Sequence, residues 1–118
     1  MHEKKMTAEI RECSSNCIDC HAICVETAAH CLTLGGEHAS AGYQTLIQDC
    51  AEMCQTSANF LLRASERHAE TCGVCARICR ACAETCLRIG KSDELMKRCA
   101  EICQRCAASC ERMAHAMA

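Results

Sequence analysis

Small apolar side chains return every three or four residues along this chain, and charged or polar residues fill the gaps between them. That period is the period of an α-helix with one face turned inward. The first stripe is Met6, Ile10, Cys13, Cys17, Cys20, Cys24, Thr27 and Cys31, which predicts a helix over about 8–34. Thr7 stands where an N-cap belongs, and Gly35-Gly36 provides a stop. The second stripe is Tyr43, Ile47, Cys50, Cys54, Ser57 and Leu61, flanked by Leu46 and Phe60, on a helix over about 40–64. Ser65 is the expected cap of a third helix over about 66–89, with Gly90 behind it, although neither Gly nor Pro marks this boundary. The third stripe is Cys72, Cys75, Cys79, Cys82 and Cys86. After Ser92 a fourth helix over about 93–116 carries Cys99, Cys103, Cys106, Cys110, Met113 and Met117, with Asp93 and Glu94 in a first turn where the dipole favours acids. Short connections make neighbours antiparallel, so the pattern predicts an all-α, antiparallel up-down four-helix bundle with a Cys-lined core. Arg77, Arg80, Glu84, Lys97, Arg98, Glu101 and Arg105 fall off the stripes and are expected to face solvent.

Composition changes this picture in one respect. A chain of 118 residues suits one domain, yet it has 16 cysteines, one Tyr, one Phe and no Trp. Sulfur occupies positions that a bundle ordinarily gives to leucine. The net charge of −2 offers no footprint for nucleic acid or for an anionic membrane surface. No run approaches the roughly 20 apolar residues of a membrane span. The first residues, Met1-His2-Glu3-Lys4-Lys5-Met6-Thr7, lack the apolar stretch of a secretory signal, so a cytoplasmic protein with reduced thiols is expected. No Ser-His-Asp order, phosphate loop or facing carboxylate pair suggests an enzyme.

The thiols themselves fall into seven pairs four residues apart: Cys13 and Cys17, Cys20 and Cys24, Cys50 and Cys54, Cys75 and Cys79, Cys82 and Cys86, Cys99 and Cys103, Cys106 and Cys110. Cys31 and Cys72 stand outside the pairs. Neighbours at this spacing have Cβ atoms about 5–6 Å apart, beyond the roughly 3.5–4.5 Å of a disulfide. Two such sulfurs can lean onto a metal between them. Soft thiolates suit Cu(I), zinc and iron–sulfur clusters. Structural zinc usually sits in separate tetrahedra on turns, and the Cys-x2-Cys-x2-Cys-x3-Cys-Pro run of ferredoxins is absent. The Cys-x-x-x-Cys-x-x-Cys spacing at Cys13, Cys17 and Cys20 matches radical enzymes that use S-adenosylmethionine, but it recurs at Cys75 and Cys99 as a product of helical periodicity. Cu(I) accepts few ligands and lets one sulfur bridge two ions, so a lined tube could hold on the order of one ion per Cys. An iron–sulfur, zinc or thiol-redox helical protein is the alternative.

The repeated Cys-x-x-x-Cys pairs resemble the copper storage proteins, in particular their cytosolic branch. So do Cys50-Ala51-Glu52-Met53-Cys54-Gln55-Thr56 and Cys99-Ala100-Glu101-Ile102-Cys103. The resemblance covers nearly the whole chain. It implies a four-helix bundle, often a homotetramer, that binds many Cu(I) ions through core thiolates and performs no catalysis. The seven pairs, with Cys31 and Cys72, carry over as metal ligands. Helix two departs from a fully lined tube, because Ser57 and Leu61 continue its stripe beyond Cys54. An up-down bundle gathers Met6, Phe60, Leu61, His68, Met113 and Met117 at one end. Leu34, Tyr43, Leu46, Ile47, Ile89, Leu95 and Met96 gather at the other. The second set reads as a plug. The first offers an imidazole and thioethers, so His68, Met113 and Met117 are the candidates for admitting metal. His21, His30, His38 and His115 are expected to be solvated.

Overall fold

The computed structural model describes residues 6–116. Helix α1 spans Ala8–Leu34, α2 Ala41–Leu62, α3 His68–Ile89 and α4 Glu94–Ala116, and a 3-10 turn at Gly36–Ala39 joins α1 to α2. The helices lie side by side in a rod of 55 × 19 × 17 Å. Helix α1 packs on α2 and α4, and α3 packs on the same two, which is the square cross-section of an up-down bundle. Side chains fix the antiparallel register. Cys13, Cys17, Cys20 and Cys24 ascend α1 as Cys110, Cys106, Cys103 and Cys99 descend α4, with Sγ–Sγ distances of 3.7, 3.7, 3.6 and 3.9 Å. Between α1 and α2, His21 Nδ1 meets the Ala51 carbonyl at 2.8 Å and Gln44 Nε2 donates to the Ala28 carbonyl at 3.1 Å. Apart from the sulfurs, a buried brace joins α1 to α4: Asn16 Nδ2 donates to Ser109 Oγ at 3.1 Å.

The caps explain where the elements start. Thr7 Oγ1 accepts from the Ile10 amide, and Ser40 Oγ accepts from Tyr43, so α2 begins one residue later than the stripe suggests. Gly35 and Gly36 take φ of 71° and 58°, a left-handed conformation open to glycine at little cost, and they lead into the unforeseen 3-10 turn. The boundary after α2 is made without glycine. Ala64 adopts φ 51°, and the Ser65 amide donates back to the Phe60 carbonyl at 2.9 Å. Ser65 does not cap α3 as its sequence position suggests. Its hydroxyl accepts from the Arg67 amide in a local turn, and α3 starts at His68 with no side-chain cap. The first turn of α4 also differs. Asp93 Oδ1 accepts from the Met96 amide at 2.9 Å, so Asp93 is the cap and not a helical residue.

The charged residues expected on the outside are there, including Arg77, Arg80, Glu84, Lys97, Arg98, Glu101 and Arg105. Leu34 does not join the plug, because it lies on the outer side of the last turn of α1 and is 47% exposed. Two histidines are more engaged than solvation would leave them. His21 is half-buried on the Ala51 carbonyl, and His30 Nε2 lies 2.7 Å from Asp93 Oδ2, tying α1 to the start of α4. Each finds its acceptor in a neighbouring helix, out of view of its own stripe.

Candidate metal centre

All sixteen cysteines are free and buried. They point inward because the three- and four-residue spacing returns each to the same helical face. Cys31, Cys72, Cys82 and Cys86 are as fully enclosed as the central thiols. The sulfurs are too far apart for disulfides and close enough to touch. Within helices, Cys20–Cys24, Cys75–Cys79 and Cys106–Cys110 approach to 4.0, 3.8 and 4.0 Å. Contacts between helices are as close: Cys54 lies 3.7 Å from Cys75, 3.5 Å from Cys79 and 3.9 Å from Cys106.

Groups of four sulfurs lie within 4.8 Å of one another. Five of them, ordered along the axis, are Cys17–Cys75–Cys106–Cys110, Cys54–Cys75–Cys79–Cys106, Cys20–Cys50–Cys54–Cys79, Cys20–Cys24–Cys50–Cys103 and Cys24–Cys82–Cys99–Cys103. Each group shares two thiols with the next, so the set is a ladder and not a row of separate sites. The five groups use twelve different cysteines, enough for only three independent tetrahedra. Filling every rung requires sulfurs that bridge two ions. Cys13 extends the ladder through Cys110 at 3.7 Å. At the far end Tyr43 Oη lies 3.2 Å from Cys86 Sγ and 3.9 Å from Cys31 Sγ.

The enclosed sulfurs perturb each other's protons. Burial pushes the Cys31 thiol up, with the Tyr43 hydroxyl working against it. Inside the ladder the hydrogen bonds between sulfurs decide the direction. Cys54 is held high by its contacts with Cys106, Cys20, Cys50 and Cys75, to which burial adds. Cys106 is held low, first by Cys110 and then by Cys17 and Cys20. A thiol that donates to its neighbours is hard to ionise, and one that accepts is easy. Burial, and then the bond to Cys86, push the Tyr43 phenol up as well, so Tyr43 keeps its proton.

The residues expected to admit metal fall as follows. His68 and Met113 are both buried to 6% exposure at the end where α1 and α3 begin and α2 and α4 finish. His68 Nδ1 lies 2.8 Å from the Ser65 carbonyl. A carbonyl can only accept, so Nδ1 donates to it, and Nε2 is the ring nitrogen left for a metal. Met117 lies outside the described residues. Phe60, expected at the same end, is half-buried under the Arg63 guanidinium, 4.7 Å from its ring centre. At the opposite end Ile47 and Met96 are fully buried. Met96 lies against Gly90 so closely that a Cβ there would meet its side chain at 2.5 Å. Sequence reasoning placed Tyr43 in the plug without seeing its hydroxyl on Cys86. The one available signal was its position on the same stripe as Cys50 and Cys54.

No curated protein sequence matches the chain. Solved structures do. A protein from Nitrosospira multiformis is 39% identical, with a TM-score of 0.84 over 92% of this chain and 96% of its own. The Cu(I)-bound copper storage protein BsCsp3 is 33% identical, with a TM-score of 0.80 over 90% of this chain and 98% of its own. Copper-free copper storage protein 3 from Bacillus subtilis, also 33% identical, superposes with a TM-score of 0.76 over 88% of this chain and 97% of its own. The family model described as copper storage protein matches residues 6–115. With its thiol ladder in a four-helix bundle, this chain belongs to the copper storage protein family.

Proposed function

We propose that the chain stores Cu(I) along the core, with all sixteen cysteines as ligands. The observation that supports this most is the sharing of two thiols between successive groups of four. Charge balance points to the same metal. Each Cu(I) that binds a thiol displaces one proton, so a core filled at about one ion per Cys stays neutral. A zinc ion on four thiolates leaves two negative charges in a region sealed from water, where uncompensated charge is costly. The bridging demanded by the ladder is ordinary for Cu(I) thiolates and is not needed in a structural zinc tetrahedron.

The route for copper runs through the His68 end. His68 Nε2 and the Met113 thioether are soft donors beside the first thiols, Cys72 and Cys110, and Met117 extends the set by sequence. The chain acts in the cytoplasm, as a homotetramer, as one functional unit, and carries cargo in place of catalysing a reaction. Among the described residues no helix is long and apolar enough to cross a membrane.

An anaerobic titration of reduced protein with Cu(I) against a competing chelator tests the reading. Uptake approaching one ion per Cys, with about one proton released per ion, is the expected result. Saturation at one or two ions would overturn it.

A further inference from the structure

Two hydroxyls in the tube have no partner. Thr27 Oγ1 and Ser57 Oγ are buried without a hydrogen bond, and both residues are fully enclosed. Helices normally offer such groups a carbonyl one turn back. Five other hydroxyls in this chain use it: Ser14 on Arg11, Thr33 on His30, Thr71 on His68, Thr85 on Ala81 and Ser109 on Cys106, at 2.6 to 3.1 Å. Thr27 and Ser57 do not. Both lie on the cysteine stripes. Thr27 falls three residues after Cys24 and four before Cys31, and Ser57 three residues after Cys54.

Their places along the ladder matter. Cys54 borders Cys75 and Cys106, and the antiparallel register carries Ser57 one turn further toward Cys72 and Cys110. The rung at that level, Cys17–Cys75–Cys106–Cys110, draws from α1, α3 and α4 and takes nothing from α2. Ser57 is what α2 presents there. Thr27 stands between the last α1 thiol of the ladder, Cys24, and the outlying Cys31.

A neutral thiol is a weak acceptor, and a metal-bound thiolate is a much better one. Resting on the copper-storage reading above, we propose that Thr27 and Ser57 are hydrogen-bond donors held for the metal-loaded state. Thr27 serves the thiolates of Cys24 and Cys31, and Ser57 serves those of the Cys17–Cys75–Cys106–Cys110 rung. On loading, an S–H bond breaks, a Cu–S bond forms and the proton leaves to solvent with no electron transferred. The hydroxyl keeps its proton and shares it with the new anion. The empty protein carries two unsatisfied donors, and the filled protein satisfies them, so the pair biases the bundle toward holding metal. They are positioning residues and bind no copper themselves.

Thr27→Val and Ser57→Ala, singly and together, test this in two states. The copper-free variants melt a few degrees higher than wild type, because a buried orphan donor is gone. The filled variants hold the same number of ions, but lose part of them to a competing chelator at about two- to tenfold lower concentration. Thr27→Ser retains the hydroxyl and holds copper as wild type does. A lower melting point for both empty variants, or competition curves that superpose on wild type, would overturn the proposal while leaving storage intact. A wild-type protein that saturates at one or two ions overturns the storage reading and this inference with it.

Discussion

The two ends of the tube are built from different materials. At the end holding Tyr43, Ile47 and Met96, bulky side chains fill the cross-section, and the loops are tied across it. His30 bonds Asp93, Arg88 reaches Glu37 at 2.7 Å, and Gln44 Nε2 donates to the His38 carbonyl at 3.2 Å. At the end holding His68 and Met113, the bonds of the turn between α2 and α3 are local, such as Ser65 to Arg67 and Arg67 to Glu70, and the ties between helices lie deeper, at Cys13–Cys110 and Asn16–Ser109. Beside the fully buried Leu61, the side chains there include an imidazole and a thioether, both soft donors. One end is stapled shut by bonds between distant segments, and the other is closed by groups that can pass a soft cation along. The proposed route uses this contrast, with copper entering at one end and held at the other.

The largest way to break this contrast is at the stapled end. Ile47→Ala removes a fully buried side chain and should lower the stability of the copper-free protein by about 2–5 kcal/mol, measured by chemical denaturation, with Cu(I) capacity unchanged. A sharper test lies at the other end. His68→Ala combined with Met113→Leu should slow Cu(I) uptake in stopped-flow mixing about tenfold or more and leave the final number of ions as it was. An unaltered uptake rate would remove the soft end as the route. A smaller effect is expected at the turn beside it. Ala64 takes a left-handed φ that costs an L-residue about 1 kcal/mol, so Ala64→Gly should stabilise that end by up to about 1 kcal/mol in thermal melts. The smallest effect is a pH dependence of the stapled end. The Asp93 carboxyl is held below its usual 3.8 by His30 first and by the Met96 amide second. A lowered folded value means that its stabilisation is present above pH 3.8 and is lost as pH falls through the folded value. Asp93→Asn should flatten that acid limb in melts of the copper-free protein.

Much of this was legible from one repeated spacing. A thiol every three or four residues fixed both the helices and the direction of the sulfurs, because core-facing position and helical phase are the same information. The ladder was only half legible. The pairs within a helix are sequence neighbours, but the sharing of Cys75 and Cys106, or of Cys20 and Cys50, between rungs depends on the relative heights of different helices. Local competition hid the caps. Ser92 and Asp93 are both good caps, and Asp93 prevails with a carboxylate that also meets His30 in α1. Ser65 is a fair cap by type, but the left-handed Ala64 turns the chain so that its hydroxyl serves Arg67. Leu34 is apolar and near the plug, yet it falls on the outer face of its helix. The hydrogen bonds of His21 and His30 lie outside any single-helix pattern.

The position of Tyr43 has an optical consequence. The chain has one Tyr and no Trp, so its tyrosine emission comes from a single ring. That ring carries its hydroxyl 3.2 Å from Cys86, at the end away from His68. Emission from Tyr43 is therefore an intrinsic gauge of how far filling has progressed. If ions load from the His68 end, it stays bright through the early additions and is quenched only as the last rungs fill.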